Sequence, residues 1–334
     1  MAILITGGAG YIGSHTVRHF QQQGESVVVY DHLGQGHKDA VSTDVPFYAG
    51  DLHDQAMLRS VFGAHDITAV IHFAAHSLVG ESVTGPLRYY ENNLAGTMKL
   101  LEVMLEFDVK QIVFSSTAAV YGEPQRIPIK EDSPTNPTNP YGETKLAMER
   151  LLHWSEQAYG IHYVALRYFN AAGADPDGEI GEDHTPESHL IPIVLQTALG
   201  QRSHVAIFGD DYDTQDGTCV RDYIHVMDLA HAHYLALKKL ETTAKSAVYN
   251  LGNGTGFSVK EVIDMCKQVT ERTIQVEQTA RRAGDPAVLI ASSAKATEEL
   301  GWIPQYPDLK TIVQHAWQWH VHHPTGYQKG KDTL

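Results

Sequence analysis

Short runs of aliphatic and β-branched residues recur along the first half of the chain. Each is followed by a longer stretch in which apolar positions return every three or four residues. Ala2–Thr6, Ser26–Asp31, Ala69–Phe73, Gln111–Ser115 and Tyr163–Tyr168 read as strands. Helices are predicted from about Tyr11 to Gln23, through Thr97–Phe107, and over Pro140–Tyr159. The strand runs are nearly all apolar rather than alternating, as in strands covered on both faces. Strand–helix alternation of this kind predicts an α/β fold, a doubly wound parallel sheet.

The second half is less regular. Asp175–His189 is rich in glycine, proline and charge and reads as a loop, with a helix over Leu190–Leu199 behind it. Strands are expected at Val205–Phe208, Ala247–Leu251 and Thr273–Gln278. Asp210–Thr218 is acidic and turn-rich, and Gly252–Gly256 is a second glycine cluster. We therefore expect a first domain over residues 1–169 and a smaller α+β domain over 170–334. A return of the chain to the first domain around 221–234 stays open.

The turn after the first strand is Gly7-Gly8-Ala9-Gly10-Tyr11-Ile12-Gly13. Glycines there let the backbone turn sharply and approach a pyrophosphate, whose charge meets the N-terminus of the following helix. The run has a strand before it and a helix after it, which a dinucleotide-binding loop requires and a chance glycine cluster lacks. It marks the sheet as Rossmann-type. Asp31 ends the second strand 18 residues beyond Gly13. A carboxylate there accepts from the adenosine ribose hydroxyls and repels a 2′-phosphate, and His32 follows rather than an arginine. Both features favour NAD over NADP.

Asn139-Pro140-Tyr141-Gly142-Glu143-Thr144-Lys145 carries the candidate chemistry. Asn139 suits a helix cap and Pro140 a first helical position, so Tyr141 and Lys145 share one helix face. Free tyrosine, with a pKa of about 10, is a poor base at neutral pH. A neighbouring ammonium and a positive nicotinamide would favour its phenolate and poise it for a sugar hydroxyl. A Tyr/Lys pair at this spacing is commonly just a solvated helix face. Here it accompanies a dinucleotide loop and a hydroxyl strip, Ser115-Ser116-Thr117, in which Thr117 can share the substrate proton.

The chain has 25 basic and 40 acidic side chains, for a net charge of −15. That balance excludes a protein coating nucleic acid, and an anionic ligand must be held by a few placed cations and backbone N–H groups. The two distant cysteines, Cys219 and Cys266, form no disulfide framework and point to a reducing compartment. No apolar run approaches the ~20 residues of a membrane span, and the chain starts directly in strand sequence, so a cytoplasmic protein without a membrane partner is expected. Twenty histidines raise a metal site. The closest groups, His231 with His233 and His320 with His322 and His323, lack ligands at a familiar spacing, and no metal is expected.

Taken together, the glycine loop, the Ser-Ser-Thr strip and Tyr-x-x-x-Lys resemble the extended short-chain dehydrogenase/reductase superfamily. The closer likeness is to the UDP-glucose 4-epimerase family, nearly end to end. It includes Gly80–Val83, Tyr89–Asn93, Ala119–Gly122, Leu166–Asn170, Val220–Val226 and Arg281–Pro286. The resemblance implies interconversion of UDP-glucose and UDP-galactose by transient oxidation at C4 with tightly bound NAD, in a homodimer acting on a UDP-hexose. It implies NAD contacts at Gly7, Gly10, Tyr11, Ile12, Gly13, Asp31, Asp51, Leu52, Phe73, Ala74, Ala75, Asn92, Lys145 and Phe169. Substrate contacts are implied at Thr117, Tyr141, Asn170, Leu190, Phe208, Arg221, Arg282 and Asp285, with Tyr141, Lys145 and Thr117 catalytic.

Four positions depart from that family. Thr117 stands where many members have serine, and Ser77 where some have a lysine near the pyrophosphate. His189 replaces a common asparagine of the substrate loop. Leu289 falls where some members place a tyrosine beside the sugar, which opens the site to an N-acetyl group at C2. A 4-epimerase of UDP-GlcNAc, UDP-xylose or a uronate is thus the alternative reading. A nucleotide-sugar dehydratase would carry Asp-Glu after the threonine, where this chain has Ala118 and Ala119. A non-catalytic NAD-binding protein would lose the tyrosine or lysine, and both are present. A simple dehydrogenase would reduce free NAD in bulk.

Overall fold

A computed structural model describes residues 1–282 and 285–327. Seven strands form one parallel sheet: β1 (Ala2–Thr6), β2 (Val27–Asp31), β3 (Phe47–Ala49), β4 (Ile67–His72), β5 (Gln111–Ser115), β6 (His162–Tyr168) and β7 (Ala247–Leu251). Their order is β7-β6-β5-β4-β1-β2-β3, and every pairing is parallel. The chain winds outward from β1 toward β3, then crosses to β4 and winds the other way. The crevice at the carboxyl ends of β1 and β4 is therefore the switch point where such sheets bind ligands.

Strands β1 and β2 are buried along their whole length, as all-apolar runs require. One face of the sheet is covered by α1 (Tyr11–Gln22), the other by α2 (Gln55–Ala64), α3 (Gly96–Glu106) and α4 (Pro140–Tyr159). Asn139 accepts the Gly142 N–H at 2.9 Å to start α4, with Pro140 in its first turn. Gly160, in a left-handed conformation, ends it. A cap of this kind contributes about 1 kcal/mol.

The second half supplies α5 (Leu190–Ala198), α6 (Val226–Thr243), α7 (Val259–Thr270) and α8 (Leu309–His322). Helices α5, α7 and α8 share a core with Val205 and Ile207 of the strand Val205–Phe208, which pairs with the more exposed strand Val276–Thr279. The expected division at residue 170 is not where the main sheet ends. Helix α6 buries Leu229, Ala232 and Ala236 against Val17 and Phe20 of α1, and β7 then joins the sheet beside β6. This return runs to Leu251, well past the 221–234 stretch left open by the sequence. Its cause is the apolar face that α1 leaves uncovered. The final seven residues of the expected second domain lie outside the described part.

Candidate active site

The glycine loop leaves the carboxyl end of β1. Gly7 has φ +72°, and a Cβ on it would lie 2.6 Å from the Ala74 nitrogen, after β4. A Cβ on Gly13 would lie 2.1 Å from the Gly7 carbonyl oxygen. Both positions thus admit glycine alone. Gly10 stands before α1 with no side-chain cap and no acidic residue in the first turn, so the N–H groups there are available to an anion. Asp31 is buried and accepts from Ala9 N at 3.0 Å and Leu33 N at 2.8 Å, tying the loop to the end of β2. This cradle fits a dinucleotide pyrophosphate, with the carboxylate beside it.

The remaining expected cofactor residues gather along the same edge. Phe73, Ala74 and Ala75 follow β4 and are half-buried. Asp51 is exposed and Leu52 is buried, just beyond β3. Asn92 lies in the π-helical segment Tyr90–Ala95, a form of turn common at functional sites. The Tyr11 side chain is turned inward, its hydroxyl donating to the Gly173 carbonyl at 2.7 Å, while Ile12 packs on the core. Ser77 is exposed.

One residue in this region escaped the sequence reading. Asn93 accepts from His76 N at 2.7 Å and donates to Thr144 at 3.0 Å, pinning the segment after β4 to α4. The Asn92-Asn93 doublet was its only sequence signal.

Tyr141 and Lys145 share a face of α4, with the Lys145 Nζ 6.0 Å from the Tyr141 ring centre. The amine donates to the Ser115 carbonyl at 2.9 Å and lies over the Phe114 ring. Thr117 is buried, and its hydroxyl accepts from the Ala119 N–H at 3.1 Å. Burial pushes the Tyr141 phenol up, and the Thr117 hydrogen bond pulls it down. Burial also lowers the Lys145 amine to about 7, with Glu149 opposing that shift. The sequence assigns the activation to the Lys145 ammonium and a positive nicotinamide together. In the protein alone, burial raises the phenol and Thr117 is the group that favours the phenolate.

Behind this pair lies a buried ion pair. Arg167 donates to both carboxylate oxygens of Glu149, from Nε at 2.9 Å and Nη2 at 2.5 Å, and to the Tyr121 hydroxyl at 2.8 Å. Ser116 donates to the same carboxylate. The network fixes α4 against β5 and β6 and holds Tyr141 and Lys145 in place.

Across the edge lie the expected nucleotide contacts. Phe169 and Leu289 are half-buried and pack with Ala118 in one apolar cluster beside Thr117. Asn170 is half-buried, and its N–H donates to the Asp222 carbonyl. Arg221 donates to Asp285 at 3.0 Å, so two groups expected to bracket one ligand meet each other. Arg282 is exposed, its guanidinium 3.8 Å from the Phe208 ring centre. Ala283 and Gly284, in the same stretch, lie outside the described residues. Leu190 is half-buried at the start of α5, and the His189 Nδ1 is engaged by Glu182.

A Rossmann-type cradle with Tyr-x-x-x-Lys and a hydroxyl strip at its switch point defines an NAD-dependent enzyme of the short-chain dehydrogenase/reductase class. The chain belongs to the NAD dependent epimerase/dehydratase family, whose model matches residues 3–252. It is 66% identical to the UDP-glucose 4-epimerase of Halalkalibacterium halodurans, over 98% of each chain. A crystal structure of a UDP-glucose 4-epimerase superposes with a TM-score of 0.97 at 59% identity, covering 98% of this chain and 100% of that one. The UDP-glucose 4-epimerase of Bifidobacterium longum, solved with NAD+ and UDP, has a TM-score of 0.93 at 40% identity, covering 98% of this chain and 100% of its own.

Proposed function

We propose that this protein is an isomerase that interconverts UDP-glucose and UDP-galactose by transient oxidation at C4, with NAD retained through turnover. The observation that carries this reading is the Thr117–Tyr141–Lys145 group at the sheet's switch point, followed by alanines at 118 and 119 rather than carboxylates. The names of the near relatives support it.

When bound, NAD supplies a hydride acceptor and donor for C4 and a fixed positive charge near the phenol. The loop of Gly7, Gly10 and Gly13 and the start of α1 hold its pyrophosphate, and Asp31 its ribose. Asp51, Leu52, Phe73, Ala74, Ala75, Asn92 and Phe169 line its remaining length. Tyr141 takes the proton from the sugar 4-hydroxyl and later returns it. Thr117 shares that proton and holds the hydroxyl against Tyr141. Lys145 fixes the nicotinamide ribose, braced by the Ser115 carbonyl.

Arg221 and the Arg282–Phe208 stack hold the diphosphate and uracil, with Asn170, Leu190 and Asp285 around them. Concentrating affinity on the UDP leaves the sugar free to present either face. A dehydratase needs an acid and a base placed for elimination, and Ala118 and Ala119 supply neither. The test is direct assay of the purified protein for UDP-glucose/UDP-galactose exchange. Absence of exchange with or without added NAD overturns the reading.

A second activity follows from one observation. Leu289 packs against the same buried cluster of Val120, Tyr121, Ile129 and Leu146 as Ala118 and Phe169 do, and it is smaller than a tyrosine. We include UDP-GlcNAc among the substrates on that ground, with side-by-side kinetics as the check. The proposal extends to a cytoplasmic homodimer. Met98 on α3, Phe107 just after it, and Trp154 and Tyr159 on α4 are exposed apolar side chains that support contact with a second copy. Cys219 and Cys266 are buried free thiols, and no helix among the described residues is long and apolar enough to cross a membrane.

A further inference from the structure

The loop before α5 gathers four side chains that the reaction does not use as a set. Glu182, His184, Glu187 and His189 each bring one ligand-type atom within 4.8 Å of all the others. The Glu182 Oε1 faces the His184 Nδ1 at 3.1 Å and also contacts the His189 Nδ1. The Glu187 Oε2 lies 3.8 Å from the His184 Nδ1. A tetrahedral ion with bonds of about 2.0–2.1 Å spaces its ligand atoms roughly 3.3–3.4 Å apart, which these separations bracket.

A second observation comes from Glu187. Its other oxygen, Oε1, accepts from Ser188 N at 2.7 Å and His189 N at 2.9 Å, which fixes the carboxylate. The Oε2 so aimed into the cluster is buried and has no hydrogen-bond partner. The Glu187 side chain is 2% exposed. A carboxylate oxygen buried without a partner is costly unless a cation meets it. Two imidazoles and two carboxylates, one of them already oriented by two backbone N–H groups, suit a borderline divalent ion.

We propose that Glu182, His184, Glu187 and His189 bind one zinc ion. Four protein ligands close the coordination sphere, so the ion is structural rather than catalytic. It clamps the loop that leads into Leu190, next to the His184 ring, which meets the Tyr11 ring edge-on at 6.2 Å between centres. A zinc ion here departs from the expectation of no metal, which rested on the histidine groups at 231–233 and 320–323.

The test uses full-length protein freed of any histidine tag. Elemental analysis after dialysis is expected to find stoichiometric zinc. Protein stripped with chelator and titrated with cobalt chloride should develop the intense visible bands of a tetrahedral site, displaced by zinc. Glu187→Gln, nearly isosteric, should weaken that uptake at least about tenfold, and His184→Ala should abolish the bands. Absence of zinc together with a cobalt titration lacking those bands overturns the proposal. So does a folded Glu187→Gln/His184→Ala protein that binds cobalt as the parent does. The parent titration decides the matter even if a variant fails to fold.

Discussion

The Lys145 Nζ donates a 2.9 Å hydrogen bond to the main-chain carbonyl of Ser115, the last residue of β5. That bond ties the second turn of α4 to the carboxyl edge of the sheet. It places the amine on the first residue of the strip ending in Thr117 and 6.0 Å from the Tyr141 ring centre. Sheet edge, hydroxyl strip and helix are thereby locked into one rigid unit.

If Tyr141 carries the sugar proton, Tyr141→Phe should lower kcat by about 10²–10⁴-fold, the usual worth of a positioned acid–base group. KM should change only a few-fold, because the UDP is held elsewhere. Thr117→Val should give a smaller loss and shift the pH profile of kcat upward, since the Thr117 hydrogen bond pulls the phenol down. Steady-state kinetics across pH checks both. An unshifted Thr117→Val profile would remove Thr117 from the proton path.

Lys145 also predicts a pH dependence of stability. Burial holds its amine at about 7, against an ordinary 10.5. Between those values the unfolded chain binds more protons at this site than the folded one. Stability therefore rises with pH across that window, by at most about 1.4 kcal/mol per pH unit, and the cost of burial is fully felt below it. Urea unfolding of cofactor-stripped parent and Lys145→Met between about pH 7 and 9 isolates the effect. The parent should gain on the variant as pH rises, and a constant difference would argue against a depressed amine.

Gly13→Ala drives a Cβ to within 2.1 Å of the Gly7 carbonyl. Relief requires the loop to move off β1, at a cost of about 1–3 kcal/mol. The variant should purify without bound nicotinamide, read from the absorbance of a denatured supernatant. Its urea midpoint should fall as well.

Arg221 and Asp285 pair at 3.0 Å, with side chains 14% and 34% exposed. Arg221→Ala should raise the KM for UDP-sugar by about 10–100-fold, since a charge-assisted phosphate contact is worth roughly 1.5–3 kcal/mol. Asp285→Ala frees the arginine and should cost less. A double-mutant cycle on UDP affinity should show non-additivity of at least about 0.5 kcal/mol. Additive effects would mean that the pair does not act as one unit on the ligand.

Much of the frame is legible in the chain. Gln111–Ser115 and Pro140–Tyr159 have the bounds expected, because Asn139, Pro140 and Gly160 carry local signals for the start and stop of α4. Strand Ala247–Leu251 was foreseen, but its seat beside β6 was not. That seat depends on α6 packing over α1, a contact between segments more than two hundred residues apart. Helix α7 was not anticipated, although Ser258 and Glu261 form a capping box at its start.

In the site, Gly7, Gly13 and Asp31 are readable because their roles are local. The Arg221–Asp285 and Glu149–Arg167 pairs are not, since burial and partner choice arise only after folding. The 182–189 quartet follows no helical or finger-like spacing, and only the path of its loop brings it together.

In the proposed reaction C4 loses and regains its own hydrogen within one site while Tyr141 handles the hydroxyl proton. UDP-galactose deuterated at C4, incubated with the purified protein and followed by NMR, tests it most directly. The account predicts UDP-glucose with deuterium kept at C4, none in solvent, no build-up of reduced cofactor, and a rate at least about a hundredfold lower in Tyr141→Phe. Loss of the C4 deuterium to water, or no UDP-glucose with or without added NAD, would contradict it.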